Sequence, residues 1–140
     1  MERTLAIIKP DAVERNKIGE VLARIEAEGF RIRGLRWIRL TRAEAERFYD
    51  AHKGKHFFPE LVSYMTSGAS VPVELERAGA VLALRDLMGA TNPAEAARGT
   101  IRGDLGVDHT RNTIHGSDSP ANATREIAFF FQEEEARART

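Results

Sequence analysis

The residues best equipped for chemistry lie together in Arg111-Asn112-Thr113-Ile114-His115-Gly116-Ser117-Asp118-Ser119. This stretch gathers an imidazole, an amide, a guanidinium, several hydroxyls and a carboxylate around one glycine. Histidine titrates near neutrality, so His115 can act as a nucleophile or a base. Gly116 leaves one flank of His115 without a side chain, and a bulky group is expected to approach there. A nucleophilic imidazole must be neutral with its tautomer fixed. A carboxylate or carbonyl on one ring nitrogen does this and leaves the other nitrogen free to attack. Glu126, in the last helical segment, and Asp118, closer in sequence but suited to shaping a turn, are both candidates, and spacing alone does not choose between them.

Neither G-x-x-x-x-G-K-[ST] nor G-x-G-x-x-G occurs, so a phosphate ligand must be held by side chains rather than by a glycine-rich nest. Lys9 ends the first apolar run just before Pro10. Arg85 sits in the helical segment ahead of a long irregular stretch. Arg102 stands between glycines in Gly99-Thr100-Ile101-Arg102-Gly103-Asp104, well placed to meet a ligand. His52-x-x-x-His56 has the spacing of a helical metal pair. Gly54 lies between the two, no Glu follows the first, and no third ligand is evident, so no protein metal site is expected.

The elements that must position these groups follow from periodicity and caps. Thr4 to Lys9 reads as a buried strand. Ile18, Val21, Leu22 and Ile25 mark one face of a helix that ends at Gly29. Phe30 to Leu40 reads as a second strand whose alternation slips by one residue at Gly34, the signature of a bulge on an edge strand. Thr41-Arg42-Ala43-Glu44 has the form of a capping box and opens a helix carrying Phe48 and Tyr49. A shorter helix over Pro59 to Met65, a strand over Ser70 to Glu76 and a helix over Ala78 to Met88 follow. Ala90 to Arg111 shows no periodicity, and irregular stretches of that length are usually functional. Thr113 to His115 is a short strand, and Ser119 with Pro120 opens the last helix. The core order is βαββαβ. It implies an α+β, ferredoxin-like two-layer sandwich, with helices on a four-stranded antiparallel sheet.

Residues 1–140 are most simply one domain, with a charged tail from Glu133 to Thr140. There are no cysteines, which removes disulfides, thiolate metal sites and cysteine nucleophiles together. The charge balances, with 21 basic and 21 acidic residues, which argues against nucleic acid as the main ligand. Seventeen of the basic residues are Arg, the side chain that grips phosphate in a bidentate fork. No apolar run approaches the ~20 residues of a membrane span. The N-terminus carries no basic region ahead of a signal core. A cytoplasmic protein with no membrane partner is expected.

Asn112-x-x-His115-Gly116-Ser117-Asp118-Ser119 resembles the active-site signature of nucleoside diphosphate kinases. Thr4-Leu5-Ala6-Ile7-Ile8-Lys9-Pro10-Asp11-Ala12-Val13, His56-Phe57-Phe58, Arg85-Asp86-Leu87-Met88-Gly89, Thr91-Asn92-Pro93-Ala94 and the Gly99–Asp104 segment are similar to that family's other landmarks, in its order and spacing. The resemblance covers the chain up to about Gln132. It implies transfer of the γ-phosphate of a nucleoside triphosphate, usually ATP, to a nucleoside diphosphate, by a ping-pong cycle through phospho-His115. It further implies Mg2+, held mainly by the nucleotide phosphates, and a homo-oligomer built from dimers, a hexamer being favoured over a tetramer.

By the same resemblance, Lys9 contacts the transferred phosphate, and Tyr49 helps position that lysine and the nucleotide's sugar-phosphate region. Glu126 fixes the His115 ring, with Ser117 in the same hydrogen-bond set. Arg85, Thr91 and Arg102 grip the phosphates, and Asn112 binds the ribose. Phe57 stacks on the base, with Leu61 also at the nucleotide. His109 and Thr110 depart from the commoner pattern, which has a small aliphatic residue followed by glycine, so the packing around the base is where this chain is expected to differ. A binding-only relative would be free to lose the nucleophile and its partners. Here His115, Lys9, Arg102, Asn112 and Glu126 are all present.

Overall fold

The apolar run at the start of the chain forms β1 (Glu2–Ile8) in a computed structural model that describes residues 1–131. The tail expected over Glu133 to Thr140 lies outside the described residues. Pro10, which cannot extend a ladder but suits a first helical position, opens a short helix, α1 (Pro10–Glu14), that periodicity does not reveal. Next come α2 (Ile18–Ala27) and β2 (Arg31–Leu35). α3 (Arg42–Phe48) is followed by a single 3-10 turn at Asp50–His52 and by α4 (Phe58–Met65). The capping box is formed as expected, with Glu44 N donating to Thr41 Oγ1 at 3.1 Å and Thr41 N donating to Glu44 Oε1 at 2.9 Å. β3 (Val71–Arg77) and α5 (Ala80–Met88) come next. The stretch expected to be irregular over Ala90 to Arg111 is interrupted by α6 (Ile101–Leu105), whose five residues are too few to show a period. β4 (Ile114–Gly116) and α7 (Pro120–Phe130) complete the described chain, and Ser119 Oγ accepts from Asn122 N as the last helix's cap.

The strands form one sheet in the order β2-β3-β1-β4, with every adjacent pair antiparallel, as a ferredoxin-like core requires. β2 is an edge strand, and its register slips between Ile32 and Gly34, where the alternation breaks in the sequence. It is shorter than the expected Phe30 to Leu40. Arg36 N still donates to Pro72 O, but Pro72 has no N–H to return, and only an isolated bridge between Ile38 and Ser70 continues the pairing.

Alternation along β1 sends Ala6 and Ile8 to one face, where they pack with Val21 and Ile25 of α2 and Leu84 and Met88 of α5. Leu5 and Ile7 go to the other face and meet Phe48, Val62, Met65 and Phe130 from α3, α4 and α7. The sandwich of the βαββαβ core is therefore present, and its second face, which that pattern leaves open, is covered by the segment after β2 and by the final helix. Burial on both sides is why β1 reads as a continuous apolar run rather than an alternating one. Among the described residues no helix is long and apolar enough to cross a membrane.

Candidate active site

Strand pairing decides where the central histidine points. In β4, Ile114 lies opposite Ile8, His115 opposite Ile7 and Gly116 opposite Ala6. Directly opposed residues share a face, so His115 projects towards α3 and α7 while Gly116 projects towards α5. Gly116 lines the same cavity as His115, while the direction a side chain would take there is filled by α5. A Cβ there would stand 2.5 Å from Met88 Sδ and 3.1 Å from Leu84 Cδ2, so glycine is what lets β4 lie close against α5.

His115 Nε2 stands 2.9 Å from Glu126 Oε1, and Ser117 Oγ donates to the same oxygen at 2.7 Å. Asp118 instead accepts from Asn122 Nδ2 at 2.5 Å and shapes the entry to α7, so of the two candidate carboxylates it is Glu126 that meets the ring. Burial pushes the Glu126 carboxyl up. The His115 hydrogen bond and charge, with the Ser117 hydroxyl, outweigh it and hold the group below its ordinary value. An ionised carboxylate can only accept, so Nε2 carries the ring proton and Nδ1 keeps its lone pair. The ring is walled edge-on by Phe48, 5.5 Å between centroids, and by Tyr49, 6.1 Å. Tyr49 was expected beside Lys9. It bears on His115, and the ring beneath the lysine ammonium is that of Tyr64, 5.4 Å away.

Lys9 stands where β1 gives way to α1. Its Nζ donates to Thr110 O and to Asn112 Oδ1, both at 2.8 Å. Burial lowers its pKa to about 8, with Asp11 and Asp108 opposing and Arg102 reinforcing the shift. Asn112 is itself buried and donates through Nδ2 to Thr91 O at 2.8 Å and His109 O at 3.2 Å, so its amide ties the lysine to two loops. Arg102 lies within α6 rather than in open loop, and it is buried. Its guanidinium donates only to carbonyls, Gly89 O at 3.1 Å and Ile114 O at 2.7 Å, and Nε has no partner. Burial, then Arg85, brings its pKa down to about 10. Gly89 makes this placement possible. It ends α5 at φ +84°, and a Cβ there would meet Thr100 Oγ1 at 2.5 Å where α6 begins.

These groups open onto a cavity of about 870 Å³, within the range of small-molecule sites. Phe57, Leu61, Arg85, Thr91 and His109 line it together with Lys9, Tyr49, Arg102, Asn112, His115 and Glu126. Of the residues singled out from the sequence, only Ser117 does not line the cavity; it is buried behind Glu126. Sequence reasoning missed Phe48, which reads as an ordinary core residue, and Asp11 and Tyr64, whose partners are remote in the chain. It also missed His52 as a wall residue. His52 stacks on Tyr49 at 6.4 Å and meets Phe57 at 5.4 Å. Among the described residues no group of three acidic or histidine side chains could hold a metal ion.

Two buried cations that form no ion pair among the described residues can receive an anion, and a histidine with a free lone pair beside them can accept a phosphoryl group. Fold and site together define a phosphotransferase. The sequence profile of nucleoside diphosphate kinase matches residues 2–136. Nucleoside diphosphate kinases of Desulfatibacillum aliphaticivorans and Pelotomaculum thermopropionicum are 53% and 56% identical, each over 96% of this chain and over 98% and 91% of their own. Among solved structures, the Aquifex aeolicus nucleoside diphosphate kinase superposes with a TM-score of 0.94 at 43% identity, covering 96% of this chain and 97% of that one. A halophilic nucleoside diphosphate kinase from Halobacterium salinarum, solved in complex with CDP, gives 0.93 at 43% identity, covering 96% and 90%. The chain belongs to the nucleoside diphosphate kinase family: it is an enzyme that moves a phosphoryl group from a nucleoside triphosphate to a nucleoside diphosphate.

Proposed function

We propose that His115 carries the phosphoryl group between two nucleotides that use the cavity in turn. One observation carries this reading: Nε2 of His115 is committed to Glu126, so Nδ1 is the nitrogen left to react. In the first half-reaction Nδ1 bonds to the γ-phosphorus of the donor. The bond from that phosphorus to the bridging oxygen breaks, and the diphosphate leaves with the electron pair. In the second half, a terminal oxygen of the acceptor diphosphate attacks the same phosphorus and the N–P bond breaks, restoring the neutral ring. The Nε2 proton stays in place throughout. The Glu126 carboxylate offsets the positive charge that builds on the imidazole. One site used twice suits a single cavity with one free imidazole nitrogen.

Lys9 and Arg102, buried and in no ion pair among the described residues, are the natural contacts for the transferred and bridging phosphates, with the more exposed Arg85 and Thr91 at the rim. Asn112 retains a lone pair on Oδ1 for a ribose hydroxyl. Phe57, with Leu61 near it, offers a face for the base. Stacking discriminates poorly between bases, as a general exchanger needs, and His109 is the wall residue best placed to modulate that. A nucleotide kinase needs a divalent metal, here proposed to be Mg2+. With no side-chain cage among the described residues, the cations' anionic ligand would carry the metal on its phosphates, where it supplies further charge neutralisation.

We further propose that residues 1–140 act as one domain, that the cysteine-free chain works in the cytoplasm, and that it assembles through dimers into a hexamer or, alternatively, a tetramer. Edge strand β2 supports the dimer. Leu35 at its end and Trp37 just beyond are 46% and 62% exposed, beside unpaired strand edge.

Incubation with ATP labelled in its γ-phosphate should give an acid-labile, alkali-stable phosphoprotein. Unlabelled GDP should then move the label into GTP. His115→Asn should abolish both steps. A wild-type protein that never labels, or a His115→Asn protein that labels normally, overturns the reading. Label that stays on the protein when GDP arrives would mean that His115 serves another acceptor.

A further inference from the structure

The buried carboxylate of Asp11 touches neither the cavity nor His115, yet it joins three elements that do. It accepts from the backbone N–H of Thr113, at 3.2 and 3.4 Å to its two oxygens. Thr113 has φ +79°, a left-handed conformation uncommon for a β-branched residue. It lies between Asn112 and β4, and its carbonyl accepts from Lys9 N at 2.9 Å. The Tyr64 hydroxyl donates to Asp11 Oδ1 and itself accepts from Asp11 N at 2.8 Å, while the ring of that tyrosine lies beneath Lys9 Nζ. Arg15 closes the set, with NH2 3.2 Å from Asp11 Oδ2 and 2.7 Å from Leu105 O, at the end of the helix that bears Arg102.

We propose that Asp11 is a positioning residue for phosphoryl transfer: it clamps the strained Thr113 to α1 and α4, and so sets Lys9 and Asn112 in register with His115. The proposal rests on the reading of His115 as nucleophile and Lys9 as phosphate contact. The clamp has an electrostatic side. The charged or titratable groups facing Lys9 are Asp11 from α1, Tyr64 from α4, Arg102 from α6 and Asp108 from the loop before β4. Asp11 is the strongest influence holding Lys9 protonated against burial. Loss of its charge therefore moves the lysine's titration to lower pH.

Two substitutions separate the geometry from the charge. Asp11→Asn keeps an oxygen for Thr113 N–H and removes the charge. Asp11→Ala removes both. Transfer is measured from ATP to GDP across pH 6 to 10, with rates normalised to the fraction of protein that forms phosphohistidine, so that partial unfolding does not count as slow chemistry. For Asp11→Asn the alkaline limb of kcat/KM, which reports the free enzyme, is expected to fall about one pH unit earlier than in wild type. For Asp11→Ala the normalised kcat is expected to drop about 10- to 100-fold, with nucleotide KM changed less than about threefold. Tyr64→Phe, which keeps the ring under Lys9 but removes the donor to Asp11, should show a smaller loss in the same direction and secures the test if the Asp11 variants fold poorly. If both Asp11 variants keep the wild-type limb and normalised kcat, or if Tyr64→Phe stands alone and is unchanged, the proposal is overturned. Failure of the underlying reading looks different: His115→Asn would still label, or Lys9→Met would transfer at the wild-type rate.

Discussion

Lys9 is the residue at which function and stability pull hardest in opposite directions. Its ammonium is buried, and its pKa falls from 10.5 to about 8 through burial, which Asp11 opposes and Arg102 reinforces. Below about pH 8 the folded and unfolded chains both carry the charge, and the fold bears the full net cost of holding it there, on the order of 3 kcal/mol. Between about 8 and 10.5 the folded state releases its proton first, so stability rises with pH, and above that window the cost is gone. Lys9→Met lacks this dependence. Urea unfolding without nucleotide should show wild type gaining up to about 3 kcal/mol on Lys9→Met between pH 7 and 10.5. A constant difference would show that the lysine is not desolvated as described. The same substitution should cut transfer at least about 100-fold. A bound polyphosphate would raise the lysine's pKa again, so the cost borne by the empty site is one that its ligand relieves.

At the scale of elements, the close approach of β4 to α5 decides what can occupy position 116. The added methyl of Gly116→Ala would overlap Met88 Sδ at 2.5 Å, and Leu84 Cδ2 stands at 3.1 Å. Overpacking of this kind costs about 1–3 kcal/mol. Denaturant unfolding should place Gly116→Ala in that range. Met88→Ala introduced in the Gly116→Ala background should cost less than in wild type, because it empties the space the new methyl needs. Additive costs would mean that the two elements do not meet as described. The N-terminus of α3 gives a smaller, independent reading. Thr41→Ala removes the acceptor for Glu44 N and should cost about 1 kcal/mol with no effect on normalised transfer rates, since the capping box lies outside the cavity.

For the whole molecule, β2 and β4 are the two edge strands of the sheet, and at β2 Leu35 and Trp37 present apolar surface to solvent. A second copy pairing along that edge would bury both. Trp37→Glu should therefore reduce the native mass seen by light scattering by at least half, while the cavity, on the far side of β3 and β1 in the sheet order, keeps its ability to form phosphohistidine. A wild-type chain that is already monomeric at micromolar concentration would remove the β2 assembly from consideration.

Much of the architecture was legible in the residues themselves, because local rules decide it. The 3.6-residue spacing of Ile18, Val21 and Ile25, the caps at Thr41 and Ser119, and the slip at Gly34 each depend on neighbours within a few positions, and each element stands where those neighbours put it. The polar cluster around His115 and the cations Lys9 and Arg102 stood out for the same reason: their types do not suit the apolar patterning around them. Tertiary structure alone decided the rest. Strand register turned Gly116 to α5 and His115 to α7. The fold-back of α7 chose Glu126 over Asp118, which are separated in sequence but compete for one ring. Tyr49 went to the histidine rather than to the lysine because α3 packs on the Ile7 face of the sheet. The Asp11 clamp joins residues some fifty and one hundred positions apart through hydrogen bonds whose partners no local pattern marks. Which groups can do chemistry is written in residue types. Which nitrogen is free, and which carboxylate holds it, depends on distances that exist only once the sheet has closed.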